Sequence, residues 1–160
     1  MEARSYQAGS LEQAKSLLAE QESRITRLSA PRADIPVWLA NARGMIALIG
    51  NDAKAAHDNF ETAARLAASV PSIDENARLA FAQRVGFTNI RLGKGAEAEH
   101  VFRELIDTYS RTSGAESAEV LRVRLNLAQA FMGVLFGCER AATLREQSSG
   151  GDDQRTIGTC

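Results

Sequence analysis

Three windows of the chain decide its fold: GSLEQAKSLL (residues 9–18), NDAKAAHDNF (51–60) and GKGAEAEHVF (93–102). They start 42 residues apart, and each opens with a residue that favours turns. The sixth position of each window is alanine and the tenth is a large apolar residue. The pairs are Ala14 and Leu18, Ala56 and Phe60, and Ala98 and Phe102. Self-similarity at a fixed interval of roughly 20–50 residues is typical of repeat proteins, whose stacked units share one core.

Small residues recur at the same interval. Gly44 precedes Gly86 by 42 residues, and Ala128 follows Gly86 by 42. All three fall inside helical stretches, where glycine costs about 0.5–1 kcal/mol relative to alanine. Recurrence at that cost predicts that a second helix crosses closely at these positions.

The chain is predicted to be nearly all α-helical, because Ala, Leu, Glu, Gln and Arg dominate and the three prolines fall in breaks. Apolar spacing places six helices at about 10–28, 36–50, 52–69, 73–92, 95–111 and 117–133. Residues 1–8 are interpreted as the end of a preceding helix. Ser72 and Glu75 are interpreted as a capping box for the fourth helix. Short turns within each helix pair predict antiparallel neighbours.

Composition excludes several classes of function. The formal net charge is −1, which gives no overall attraction for nucleic acid or for an anionic membrane. No apolar run approaches the roughly 18 residues of a membrane span, and the first residues lack the apolar core of a signal peptide. Cys138 and Cys160 lie outside any CxxC spacing. We therefore expect a cytoplasmic protein with no direct nucleic-acid contact, no membrane contact and no disulfide framework.

The chain resembles the tetratricopeptide repeats. Their units carry a small residue midway along the first helix, a turn residue, an alanine, an aromatic four residues later and a further small residue. The matching residues are Gly44, Asn51, Ala56, Phe60 and Ala63 in one unit and Gly86, Gly93, Ala98, Phe102 and Leu105 in the next. The 42-residue interval, GAESAEVL (114–121) and NLA (126–128) are similar to the kinesin-light-chain type. The resemblance covers roughly residues 9–132 and departs at Arg43, where leucine is usual, and at Asn89, where tyrosine is usual.

The resemblance implies an all-α fold, a right-handed α-solenoid of antiparallel helix pairs. We expect about three helix pairs within residues 1–147, truncated at both ends. Residues 148–160 are expected to form a disordered tail, because their Gly, Ser, Asp and Thr cannot bury enough apolar area to become ordered.

In repeats of this type the first helix of each pair lines a concave face that binds proteins or peptides. The residues that the resemblance places on this face are Trp38, Asn41, Met45, Gln83, Phe87, Arg91, Arg122 and Gln129. Leu48, Ile90 and Leu125 fall there too but fit a packed core equally well. We expect a docking or sensing segment of a larger bacterial regulatory protein. The alternative is an assembly module that forms a homodimer through its exposed end helices.

No group of residues converges on catalysis. His57 and His100 occupy neighbouring places in successive second helices, and two solvent-facing histidines explain them more simply than a metal pair. GKG (93–95) lacks phosphate-loop spacing and follows a helix rather than a strand. Cys138 has no base beside it in the sequence. We expect no enzymatic activity, no metal and no cofactor.

Overall fold

The computed structural model describes the backbone of residues 2–132 and the side chains of residues 9–132. Five complete helices are α1 (Glu2–Ile25), α2 (Ile35–Ile49), α3 (Ala53–Ala68), α4 (Glu75–Arg91) and α5 (Gly95–Ser113). A sixth, α6, begins at residue 118 and continues to 132, and no strand occurs anywhere in 2–132. The all-α prediction is confirmed, and the bounds of α2 to α5 lie within two residues of those predicted. The predicted boundary at 147 and the predicted tail lie outside the described residues.

The turn from α2 to α3 and the turn from α4 to α5 have the same structure. Their central residues, Asn51 and Gly93, have positive φ angles of 62° and 73°. In each turn the following amide reaches back to a carbonyl of the preceding helix. These hydrogen bonds run from Asp52 to Ala47 and from Lys94 to Asn89, both at 2.9 Å. This is the Schellman ending of a helix, and the predicted turn residues at 51 and 93 are confirmed.

Contact between a glycine and a phenylalanine closes each hairpin. A Cβ added to Gly44 would lie 2.6 Å from two ring carbons of Phe60. A Cβ added to Gly86 would lie 2.9 Å from two ring carbons of Phe102. Both rings are fully buried. Only glycine lets the backbone reach the ring at this depth, so the predicted close crossing is confirmed at both positions.

The first window differs from the other two. Helix α1 runs unbroken through Gly9 and Ser10, so the predicted helix break at these residues is wrong. A Cβ on Gly9 would meet nothing within 4 Å. No packed neighbour fixes a turn there, and the helical hydrogen bonds continue. Ala14 is half-buried whereas Ala56 and Ala98 are fully buried, so the first repeat lacks part of the environment of the others.

Two further expectations are corrected. Helix α4 is capped by Asp74 rather than Ser72, since the Asp74 carboxylate accepts a hydrogen bond from the Ala77 amide at 2.7 Å. Ala128, expected beneath a crossing helix, is exposed. Within the described part of the chain, no helix packs on that side of α6.

Two apolar clusters hold the helices together, and α4 contributes to both. The first cluster joins α2, α3 and α4 through Val37, Ala40, Ala63, Ala67, Val70, Ile73 and Phe81. The second joins α4, α5 and α6 through Leu79, Ala98, Phe102, Leu105, Tyr109, Val120, Val123 and Ala130. Because Phe81 and Leu79 leave opposite sides of one helix, α4 fixes the position of the second cluster relative to the first.

The two departures from the repeat pattern have different structural outcomes. Arg43 stays half-exposed, and its Nε lies 2.8 Å from Glu22 Oε1, which links α2 to α1 by an ion pair. Asn89 is only 4% exposed, and none of residues 9–132 forms a hydrogen bond with its Oδ1. An unsatisfied buried amide oxygen lowers stability, so this position is suboptimal for the fold.

The glycine contact can be tested with a matched pair of substitutions. Gly44→Ala is expected to lower the free energy of unfolding by about 1–3 kcal/mol, because the new methyl group overlaps the Phe60 ring. Gly9→Ala is expected to raise it by about 0.5–1 kcal/mol, because it meets no neighbour and favours the helix. Urea unfolding followed by circular dichroism measures both. Stabilisation at both positions would contradict the contact.

The buried amide gives a second test. Asn89→Leu keeps the branching at Cγ and removes the unpartnered oxygen, so it is expected to raise the free energy of unfolding by about 1 kcal/mol. Asn59→Leu is the control, since the Asn59 Nδ2 donates to the Ala55 carbonyl at 2.7 Å and that bond would be lost. Equal effects of the two substitutions in thermal unfolding would show that the Asn89 amide is satisfied in solution.

Candidate functional site

The sides of α2, α4 and α6 that carry the eight predicted binding residues are here called the first-helix face. None of these eight residues is fully buried. Trp38, Met45, Arg91, Arg122 and Gln129 are exposed, whereas Asn41, Gln83 and Phe87 are half-buried. The structure places these residues without testing what they bind, so their role stays a prediction.

Trp38 is held on this face by a buried ring. Its indole meets Phe81 edge to face, with centroids 5.6 Å apart and planes at 69°. Phe81 belongs to the first apolar cluster, while Trp38 remains 46% exposed. An aromatic side chain fixed on one edge and open on the other is well suited to contact a partner, because little of its conformational freedom is left to lose.

Arg84 is a feature that sequence reasoning missed. Its guanidinium lies 6.0 Å from the Phe60 centroid and 5.8 Å from the Phe81 centroid, which is cation–π geometry. Burial lowers the pKa of the Arg84 guanidinium, because the protein removes water that would stabilise its charge. Its place in the repeat corresponds to Ala42 in α2, so spacing alone did not single it out.

Four arginines of the first helices have no carboxylate within ion-pair distance in residues 9–132. They are Arg84, Arg91, Arg122 and Arg124. Arg91 donates a hydrogen bond to the Asn51 side chain, which fixes it beside the turn between α2 and α3. Arg91 and Arg122 therefore give the first-helix face guanidinium groups whose charge residues 9–132 do not neutralise.

Asn41 is a polar group on the same face that its own fold does not satisfy. Its Oδ1 is buried and has no hydrogen-bond partner in the described part of the chain. Since Asn41 lies one turn from Trp38 on α2, an amide acceptor stands close to the aromatic contact.

A groove of about 660 Å³ lies on the opposite side of α4, between α3 and α5. Its apolar floor is formed by Leu79, Ala82 and Val85, and its charged rim by Glu61, Arg65 and Glu104. Sequence reasoning missed this groove. In the sequence, it is indicated only by Val85, which puts an apolar residue at the repeat position that Arg43 holds 42 residues earlier.

The equivalent place one unit earlier holds a smaller groove of about 520 Å³ beside α1 and α2. The ion pair between Arg43 and Glu22 lines this smaller groove. The positions of Arg43 and Glu22 are taken in the next unit by the apolar Val85 and Ala64, so the larger groove has no ion pair at this place.

The histidines do not form a site together. His57 is only 8% exposed, so the interpretation of it as solvent-facing is wrong; its Nδ1 lies 3.6 Å from Asp58 Oδ1. His100 is exposed and lies 3.5 Å from Glu104. Within residues 9–132, no three side chains of the metal-binding types cluster. Cys138 lies outside the described residues.

Comparisons of the chain with protein-family models, with curated proteins and with solved structures find no match. Among the helices of the described residues, none is both long and apolar enough to cross a membrane. The chemistry of the first-helix face is therefore the basis on which a function can be inferred.

The role of the Arg84 charge can be separated from that of its stem. Arg84→Met keeps an unbranched side chain against Phe60 and Phe81, so the free energy of unfolding is expected to change by less than about 1 kcal/mol. Arg84→Ala removes the packing and is expected to cost about 1–3 kcal/mol. Urea unfolding of both variants measures the difference. Equal losses would show that the charge itself stabilises the fold.

Proposed function

We propose that this chain is a protein-binding module, a right-handed α-solenoid of the tetratricopeptide type, which binds a peptide or a partner's helix on the first-helix face. The observation that carries the proposal is the group formed by Trp38, Phe81 and Arg84. It combines a half-exposed indole with a partly desolvated guanidinium that has no carboxylate partner. Tryptophan and arginine are the residues that most often dominate binding energy at protein interfaces.

Charge indicates the kind of peptide. Within their described bounds, α2, α4 and α6 carry six arginines against two glutamates. The second helices α3 and α5 carry four basic residues against six acidic ones. The first helices are thus the more basic layer, and Arg91 and Arg122 among them are predicted residues of the first-helix face. We propose a partner segment that combines acidic side chains with one or more large apolar ones.

The partly buried position of Arg84 matters for affinity. Fully exposed ion pairs contribute only about 0–1 kcal/mol, because water and salt screen them. Arg84 is already partly desolvated in the free protein, so a carboxylate that reaches it meets a charge less screened by water. Exposed Arg91 and Arg122 are better suited to accelerate encounter and to fix the orientation of the ligand.

Absence of enzymatic activity, a cytoplasmic location and membership of a larger bacterial regulatory protein stay predictions from the sequence. The binding proposal depends on none of them. It requires only that the first-helix face remains accessible in the protein as it exists.

The proposal can be tested with the chain's single tryptophan. A synthetic peptide of alternating glutamate and leucine is expected to shift and quench Trp38 fluorescence, and a lysine–leucine counterpart is not. Binding of the acidic peptide should weaken as salt is raised, because exposed charges contribute to it. Identical binding of both peptides, or of neither, would contradict the proposal.

Substitutions locate the contact. Using anisotropy of a labelled acidic peptide, we expect Trp38→Ala to reduce affinity by about tenfold or more, since a central aromatic contact is lost. The Arg91→Gln/Arg122→Gln double variant should reduce affinity and flatten the salt dependence. Arg103→Gln is the matched control, because Arg103 lies on α5 and pairs with Glu99 at 2.7 Å. If only the control weakens binding, the site lies on the second helices.

A further inference from the structure

The two ends of the described helical array expose complementary halves of one repeat unit. Helix α6 has the position of a first helix, and no described helix packs on it as a second helix. Helix α1 has the position of a second helix, and no described first helix precedes it. Each end carries apolar side chains on the side where its partner would pack.

On α6 these side chains form one stripe of Leu121, Leu125, Ala128 and Met132. Leu121 is 48% exposed and Leu125 is 67% exposed, so the core interpretation of Leu125 is wrong. Their equivalents 42 residues earlier are Leu79, Gln83, Gly86 and Ile90. On α4 three of these equivalents pack against the cluster that includes α5: Leu79 is buried with Phe102, Ile90 packs against the same cluster, and Gly86 meets Phe102 and Val101 directly. Among residues 9–132, the α6 stripe is therefore a first-helix packing surface on which no second helix lies.

On α1 the residues equivalent to Val101 and Phe102 are Leu17 and Leu18. Leu17 is 60% exposed, and Leu18 is half-buried. By contrast Phe60, at the same place in α3, lies between two first helices, against Gly44 on one side and beneath Arg84 on the other. Leu18 lines a groove with α2, and no second first helix lies beside it within the described part of the chain. The unfilled side of α1 is thus the side that would meet a first helix.

We infer that α1 of one copy packs on the α6 stripe of a second copy and completes its unit, so that copies join head to tail. Leu17 and Leu18 then lie against Ala128 as Val101 and Phe102 lie against Gly86. The contact continues an interface that the chain already makes between α4 and α5.

Charge at the edge of the contact agrees with this arrangement. Arg124 corresponds to Ala82, and Glu20 corresponds to Glu104; Ala82 and Glu104 line the same groove within one chain. In the head-to-tail pair, Arg124 of one copy therefore approaches Glu20 of the other, where Glu20 also pairs with Arg24 at 2.6 Å. Arg124 has no carboxylate partner in residues 9–132, which leaves it available.

The geometry of the contact predicts how the mass of the assembly changes with protein concentration. Because the surfaces on α1 and α6 differ, the interface is heterologous, and each bound copy offers a new free end. Sedimentation velocity of the full chain from micromolar to millimolar concentration is expected to show a mass that rises past the dimer. A chain that stays monomeric throughout would overturn the inference and would indicate that its own residues after 132 cover the stripe.

Two end-blocked variants give the decisive experiment. Leu17→Glu blocks α1 and Leu121→Glu blocks α6; each is expected to weaken self-association by at least about tenfold, because a carboxylate would be buried without a partner. Both side chains are about half-exposed, so the fold should tolerate the changes. Mixed in equal amounts, the variants should form a dimer that grows no further, since each supplies the end that the other lacks. That dimer also shows that both variants are folded.

The same experiment separates other modes of pairing. If Leu17→Glu self-associates as strongly as the unmodified chain while Leu121→Glu does not, α6 pairs with α6 in a symmetric dimer and the inference is wrong. Failure of the mixture to form a dimer also overturns it. Ile49→Glu is the control: Ile49 is 65% exposed on the first-helix face, so the variant should assemble normally. Because this readout needs no peptide, it is independent of the proposed binding function.

Discussion

The depth at which a phenylalanine ring meets a glycine backbone sets the geometry of each hairpin. Phe60 can reach α2 only because Gly44 has no side chain, and Phe102 reaches α4 through Gly86 in the same way. This contact holds the second helix close enough for both helices to share one apolar cluster with the next unit. The turns at Asn51 and Gly93 have the same pattern of backbone hydrogen bonds, and each brings its two helices to that distance.

The same rings connect the core to the candidate site. Phe60 packs against Gly44 and also lies beneath the guanidinium of Arg84. Phe81 belongs to the buried cluster and meets both Trp38 and Arg84. The aromatic and cationic groups of the first-helix face are therefore positioned by side chains that the core has already immobilised. Preorganisation of this kind lowers the entropy that a ligand must offset when it binds.

The sequence predicted what depends on local chemistry and on spacing. Helix bounds from α2 to α5, the turns at 51 and 93 and the close crossings at Gly44 and Gly86 all followed from residue type and interval. Gly9 was misjudged because glycine suits both a turn and a helix, and only a packed neighbour decides between them. Arg84 and the groove over Val85 were missed for a related reason: each depends on contacts between separate helices, which no single window contains.

The distribution of charge restricts how copies of the chain can meet. Two first-helix faces brought together would place arginines against arginines, which is unfavourable in the absence of an acidic ligand. The end surfaces on α1 and α6 carry leucines, with Arg124 and Glu20 at matching edges. The proposed head-to-tail contact at the ends of the array therefore avoids the repulsion that a contact across the face with Trp38 would bring. A head-to-tail series would leave every first-helix face open, and an acidic partner with several binding segments would then meet several such faces at a raised effective concentration.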